Sequence, residues 1–291
     1  MTKDIRLIAT DMDGTLLNDG REISPENIKA IHAAIEQGIE VAVATGRDYT
    51  EAVMPLKEAD LRLPLVCVNG AEVRERDGEI IHQQILTYED FVAMQAILEE
   101  EKLYYEVYTT KGAYSNNAKR GLDVIVDLLV NTGKFGSYDE VMSLAEERFA
   151  EGAINMTDDY NALLQQEGVE LFKILAFTED DEKRNRAKHK LTRKMDVAVS
   201  SSAKENLEIT HISATKGEGI RQLSRHFNIP VENMMVIGDN FNDVSMMKTA
   251  GYSVAMGNAE EEVKQICDEV TDENVNAGVA KAINKILGVK K

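Results

Sequence analysis

The chain has 291 residues, 43% hydrophobic and 29% charged, enough for a sizeable core and, at ordinary domain sizes, for two domains. Its net charge of −18 argues against non-specific binding to nucleic acid or to an anionic membrane surface, because both are polyanions. A small phosphorylated ligand remains admissible if its site carries cations of its own.

Met1-Thr2-Lys3-Asp4 leads into the first strand without an apolar signal region. That strand, Ile5–Thr10, ends in Asp11-Met12-Asp13-Gly14-Thr15. Ser24-Pro25-Glu26 opens a helix, with Ser24 as N-cap and Pro25 in the first position. Its apolar stripe runs Ile28, Ile31, Ile35, and Gly38 closes it. A second strand, Ile39–Ala44, leads into Thr45-Gly46-Arg47 and a helix near Tyr49–Leu56. A third, Leu65–Val68, ends in Asn69-Gly70-Ala71. Asp77-Gly78 then reads as the turn of a hairpin between Glu72–Arg74 and Glu79–His82.

From about Thr87 to Ile209 the texture changes. Strands at Tyr104–Thr109, Glu170–Phe177, Val197–Ser201 and Leu207–Ile209 mix with charged helices. One helix opens at Thr87, with Asp90 placed for a capping box, and Glu99-Glu100-Glu101 reads as its solvated end. Another runs through Glu179–Lys194, acidic at its start and basic at its end as the helix dipole favours. Past Ile209 the alternation resumes. A helix follows Lys216-Gly217 with Ile220, Leu223 and Phe227 on one face, and a strand at Met234–Ile237 ends in Gly238-Asp239-Asn240-Phe241-Asn242-Asp243. Then come a helix from Val244 to Thr249, a strand at Tyr252–Ala255 and a last helix at Val275–Ile286. Alternation of this kind predicts an α/β core, a doubly wound parallel sheet, interrupted by an α+β insertion. The expected divisions are core 1–86, insertion 87–209 and core 210–291.

No apolar run is long enough to span a bilayer. Cys67 and Cys267 lie in apolar contexts and read as buried small hydrophobes, so a reducing, cytoplasmic compartment is expected. The five histidines share no metal-ligand spacing.

The chemistry concentrates at strand ends, where open α/β sheets bind ligands. Asp11 and Asp13 are two crowded carboxylates, which repel unless a cation or a shared proton compensates. Each segment has a plainer reading alone. Asp-Gly is a common turn, Thr45-Gly46-Arg47 a helix start, Lys216-Gly217 nearly uninformative, and Asp239 or Asn240 a helix cap. Brought to one edge they supply carboxylates, two cations, a hydroxyl and backbone N–H groups, which is what phosphoryl transfer requires.

Asp11-Met12-Asp13-Gly14-Thr15, Thr45, Lys216 and Gly238-Asp239 with Asn242-Asp243 match, in order, the four motifs of the haloacid dehalogenase-like phosphatases. The chain resembles that family, in its Cof-type subgroup, which includes sugar phosphatases. Thr45-Gly46-Arg47, Asn69-Gly70-Ala71, Leu207-Glu208-Ile209 and Ala250-Gly251 through Asn258-Ala259 extend the match. Cys267 and Asn276-Ala277 depart from the subgroup's usual residues, away from the motifs.

The resemblance implies a Rossmann-like core with an inserted cap domain. It also implies a Mg²⁺-dependent phosphatase acting on small phosphorylated metabolites. Asp11 is then the nucleophile, forming an aspartyl-phosphate, and Asp13 the acid and base. Lys216 neutralises the equatorial oxygens. Mg²⁺ falls to Asp11, Asp239 and the Asp13 backbone carbonyl. Thr45, Gly46 and Asn242 bind the phosphoryl group, while Arg47 and Asn69 are substrate contacts or structural loop residues. Asp243 holds Lys216 or a metal-bound water. The cap closes over the site and supplies specificity. A phosphomutase, or a binding protein that keeps the fold without turnover, are the other readings.

Overall fold

The computed structural model describes residues 4–117, 154–201 and 205–289; Met1–Lys3, read above as leading into the first strand, lie outside them. The chain forms two compact units, Met1–Gln84 with Ser213–Lys291, and Ile85–Ile212. The strands follow the chain as β1 (Leu7–Asp11), β2 (Glu40–Ala44), β3 (Leu65–Cys67), β4 (Glu72–Arg74) and β5 (Ile80–Gln83). Then come β6 (Tyr104–Thr109), β7 (Gly112–Ser115), β8 (Ile154–Met156), β9 (Leu171–Phe177), β10 (Val197–Ser200) and β11 (Asn206–His211). The last three are β12 (Met234–Gly238), β13 (Tyr252–Ala255) and β14 (Glu269–Val270).

In the first unit the sheet order is β14-β13-β12-β1-β2-β3-β4-β5. Strands β14 to β3 are parallel, and β4 and β5 add the expected antiparallel hairpin at one edge. β1 is buried along its whole length, as its continuous apolar run requires of a strand covered on both faces. It pairs β12 on one side and β2 on the other. The chain winds outward from β1 to β3 and later resumes on the other side at β12, making β1 the switch point where α/β sheets open a ligand crevice. Asp11 lies opposite Ala44, so Thr45 and Asp239, each just past its own strand, reach the same edge.

Helix Pro25–Glu36 starts as its sequence requires, the Ser24 hydroxyl accepting from the Asn27 N–H at 3.2 Å. It packs on helix Gly278–Ile286. The continuous final helix expected from Val275 does not form. A short 3₁₀ turn at Asn274–Asn276 ends in Ala277 with φ +54°, and the helix proper begins at Gly278. Strand β14 and helix Glu261–Ile266 are additions to the expected elements. Cys67 is buried, and burial pushes its thiol up. Cys267, expected to be buried, is only half-buried, facing Met247 Sδ at 3.3 Å.

In the second unit the sheet runs β10-β11-β9-β6-β7-β8, antiparallel except for the β7–β8 pair. The strand period of two gives it two distinct faces. One holds Tyr105, Val107, Ile174 and Ile209, in a core with Phe91, Met94 and Leu98 of helix Tyr88–Glu100 and Leu191 of helix Asp181–Lys194. The other holds a smaller cluster of Tyr104, Tyr108, Ala113, Ile154, Leu175 and Phe177. The Thr87–Asp90 capping box is present. Glu101, however, is not solvated: it is 7% exposed and accepts from Arg186 Nε at 3.0 Å and Lys190 Nζ at 2.7 Å. Strands β7 and β8 and helix Tyr160–Leu164 were not apparent from the sequence. Among the described residues no helix is long and apolar enough to cross a membrane.

Candidate active site

Past Asp11 the chain makes a single wide turn, Met12–Leu16, closed by the Leu17 N–H donating to the Met12 carbonyl at 2.9 Å. Gly14 permits it. Its φ is +76°, and a Cβ there would stand 2.6 Å from Asp239 Oδ2, so glycine lets the first and fourth motifs meet. Thr15 Oγ1 donates to Asp239 Oδ1 at 2.8 Å, closing the junction. Three asparagine amides clamp the turn's carbonyls: Asn258 donates to Gly14 at 2.8 Å, Asn27 to Leu16 at 3.1 Å and Asn274 to Leu17 at 2.9 Å. Asn258 is itself held, since its Oδ1 accepts from the Asn274 N–H at 3.0 Å.

Lys216 opens helix Lys216–Phe227, which Thr215 caps by accepting from the Glu218 N–H at 3.1 Å. The Lys216 side chain is 0% exposed, and Nζ lies 2.5 Å from Asp11 Oδ1 and 2.6 Å from Asp243 Oδ1. Asp243 is equally buried. Its Oδ2 accepts from the Asp239 and Asn240 N–H groups at 2.9 and 3.1 Å, so one carboxylate both caps this turn and orients Lys216.

Charge in this cluster does not balance. Asp11, Asp239 and Asp243 each present a carboxylate oxygen, all within 4.8 Å of one another, against the single Lys216 ammonium. Burial and the neighbouring Asp243 and Asp239 push the Asp11 carboxyl well above its ordinary range, which Lys216 only partly offsets. Burial and Asp243 also raise Asp239, against the Thr15 hydrogen bond. For Lys216, burial pulls downward, but the Asp11 and Asp243 carboxylates outweigh it and hold the ammonium above its ordinary value. An excess of buried carboxylate oxygens at one point is the donor set a hard divalent cation takes.

The remaining motif residues surround this cluster. Thr45 is buried, and its hydroxyl accepts from the Arg47 N–H at 3.1 Å. Arg47 makes a two-pronged contact to Asp13, Nε to Oδ2 at 2.8 Å and Nη2 to Oδ1 at 2.5 Å. The Asp13 side chain is 57% exposed and stands outside the three-carboxylate cluster. Val68, Asn69 and Gly70 all have positive φ, +48°, +53° and +101°. For a β-branched valine this is a true outlier, with a strain of about 1–3 kcal/mol. The turn it makes puts Asn69 Oδ1 3.2 Å from Asn242 Nδ2, joining the third strand's loop to the fourth motif. At Gly70 a Cβ would fall 2.1 Å from the Thr215 carbonyl, so only glycine lets this loop pack on the start of the Lys216 helix.

The structure thus brings Asp11, Lys216, Asp239 and Asp243 into one cluster. It links Thr45 to Arg47, Arg47 to Asp13, and Asn69 to Asn242. Gly46 stands beside Asn69, its nearest neighbour for a Cβ at 3.3 Å. The bracing roles of Asn27 and Asn274 were not apparent from the sequence. Their sequence neighbours, Glu26 and Ile28 for Asn27 and Glu273 and Val275 for Asn274, mix polar and apolar residues and carry no signal that singles either out.

A family model described as haloacid dehalogenase-like hydrolase matches residues 8–283. The chain is 32% identical over 285 residues to the phosphatase YwpJ of Bacillus subtilis, covering 97% of this chain and 100% of that one. It is also 32% identical over 284 residues to the 5-amino-6-(5-phospho-D-ribitylamino)uracil phosphatase YwtE of the same organism, covering 97% and 98%. Among solved structures, a haloacid dehalogenase-like hydrolase from B. subtilis superposes with a TM-score of 0.83 at 31% identity, over 96% of this chain and 99% of that one.

Proposed function

The chain belongs to the haloacid dehalogenase-like hydrolases of the Cof type, and from that premise we propose that it is a cytoplasmic, Mg²⁺-dependent phosphatase of small phosphorylated metabolites, sugar phosphates or similar. That it is a phosphatase accords with relatives matched over nearly their whole length. The name of one of them, a phosphatase of a phosphorylated ribityl compound, supports a substrate with a polyol or sugar portion.

The observation that carries the mechanism is the buried Asp11 carboxylate at the end of β1, held by Lys216 at 2.5 Å. Uncatalysed monoester hydrolysis is so slow that enzymes accelerate it by up to ~10²¹-fold, and no single group supplies that. In the proposed reaction an Asp11 oxygen attacks phosphorus as the bond to the leaving oxygen breaks, giving an aspartyl-phosphate. Asp13 protonates the departing oxygen, then takes a proton from the water that attacks the intermediate, which regenerates Asp11 and releases phosphate. Arg47, through its two-pronged contact, orients the Asp13 carboxyl group. Lys216, the Thr45 hydroxyl, the Gly46 N–H and the Asn242 amide receive the charge on the equatorial oxygens. Asp243 positions Lys216.

The three-carboxylate cluster fits a divalent cation, and Asp11, Asp239 and the Asp13 carbonyl would hold it. When bound, Mg²⁺ offsets the repulsion between nucleophile and phosphate and aligns the displacement. The second unit, Ile85–Ile212, is read as the cap that supplies substrate specificity.

The test is phosphate release from purified protein across sugar phosphates, polyol phosphates and nucleotides, with Mg²⁺ and with chelator. Turnover that stops in chelator and in Asp11→Asn supports the reading. Full activity in Asp11→Asn removes the nucleophile assignment, and silence across the panel removes the phosphatase reading. Release of phosphate, rather than its transfer to a second position on the sugar, separates this reading from a mutase.

A further inference from the structure

The first unit holds a cavity that the proposed chemistry does not use. It has a volume of about 280 Å³ and lies between helix Tyr49–Glu58, the loop that follows it and the hairpin turn after β4. Its lining is largely aliphatic. Leu56, Leu61, Leu63 and Leu65 are buried, and Val53 is half-buried. Tyr49 forms a fixed part of the wall: its ring carries the Arg74 guanidinium at 4.4 Å, and its hydroxyl packs on Gly78, where a Cβ would stand 2.7 Å away.

The charges that line it do not cancel. Arg76 is paired with Glu75 at 3.0 Å and with Glu40 at 2.7 Å, and Glu75 also with His226 at 2.7 Å. Lys57 and Arg62 are exposed, and among the described residues neither makes a hydrogen bond or an ion pair. Lys57 stands in the last turn of its helix, where the negative end of the dipole favours a cation. Arg62 lies past the helix and has no such reason, in a chain whose net charge is −18. Asp77 lines the cavity as well; its Oδ1 accepts from the Glu79 N–H at 3.0 Å, and among the described residues it has no cation partner. Two unpaired cations against one unpaired carboxylate leave a single positive charge to be matched.

We propose that this cavity binds a small apolar monocarboxylate, its hydrocarbon body among the leucines and its carboxylate on Arg62 and Lys57. Ligand pockets are mostly apolar, with a few polar groups that fix orientation, and their volumes start at about 300 Å³. This one therefore takes a body of roughly one ring or a short chain. The guanidinium fork matches a carboxylate in shape and charge. A second negative charge on the ligand meets Asp77 with no cation left to answer it. Asp11, Lys216 and Asp239 do not line the cavity, so the site does not rest on the phosphatase reading.

Benzoate, the neutral benzyl alcohol and the doubly charged phthalate are titrated into the full chain in chelator, followed by the leucine and valine methyl signals in NMR. Benzoate should shift the Val53, Leu61 and Leu63 methyls and bind at least about tenfold more tightly than either of the others. Arg62→Gln should remove that margin and leave benzyl alcohol binding unchanged. Val53→Phe, which fills the cavity, should abolish binding of both; if it unfolds by circular dichroism, the exposed change Arg62→Gln decides alone. Benzoate that shifts no lining methyl, binds no more tightly than benzyl alcohol or is indifferent to Arg62→Gln overturns the site. Displacement of benzoate by inorganic phosphate assigns the anion to the active site and overturns it too. Phthalate that binds as tightly as benzoate overturns the assignment to a single charge.

Discussion

Replacing Lys216 with methionine removes one charge while keeping most of the side-chain volume. The ammonium lies 2.5 Å from Asp11 Oδ1 and 2.6 Å from Asp243 Oδ1, and is fully enclosed. Without it, three mutually close carboxylates share one buried space. Taking one partner from a buried ion pair costs about 3–5 kcal/mol. For a domain of this size each kcal/mol shifts the melting temperature by about 2–4 °C, so the first unit should melt roughly 10 °C lower. The raised Lys216 ammonium contributes fully at all pH values below the ordinary lysine value of 10.5, and its contribution is lost only as pH rises through the higher folded value. A melt at pH 7 therefore reads the whole effect. Adding Mg²⁺ should shrink the difference, because the cation supplies the counter-charge the variant lacks. Turnover should fall by at least about 10²–10³-fold, as when a donor to the developing charge is removed. The assay is calorimetry in chelator and in Mg²⁺, beside phosphate release. A variant that melts within about 2 °C of wild type in chelator refutes the claim that Lys216 is what lets these carboxylates pack together.

Two further perturbations test other parts of the site and its scaffold. Asn258→Ala removes the exposed amide that holds the Gly14 carbonyl; kcat should fall about tenfold or more through misplacement of Asp11, with the melting temperature down by only a few degrees, and an unchanged kcat would show that the clamp is idle. At Glu269 burial alone would raise the carboxyl, but hydrogen bonds from Lys285 and Tyr252 hold it below its ordinary 4.5. Their contribution is therefore present above pH 4.5 and lost as pH falls through the folded value. Glu269→Gln should flatten that acid limb of the stability curve, and an unaltered limb assigns the acid sensitivity elsewhere.

The core was legible because its signals are local. β1 is an uninterrupted apolar run that ends at two carboxylates, and Ser24-Pro25 and Thr87 are caps whose partners lie three residues away. Part of what escaped the sequence depends on contacts distant along the chain. Glu101 looked solvated because Arg186 and Lys190, which bury it, are more than eighty residues away. Arg47 looked available to substrate because its pairing with Asp13 spans 34 residues. β14 is two residues long, too short for any period to show. The final helix was read through Ala277 because an alanine at positive φ has no local signature; the conformation is set where the Gly278 N–H turns back to the Glu273 carbonyl.

The central claim is that Asp11 becomes covalently phosphorylated. Mixing protein with substrate and Mg²⁺, quenching in acid within the first turnover and mapping the digest by mass spectrometry tests it directly. A phosphoryl group on the peptide carrying Asp11, absent from Asp11→Asn and lost as product phosphate appears, is the expected result. Turnover with no covalent species, or a phosphoryl group mapped to any other residue, would contradict it.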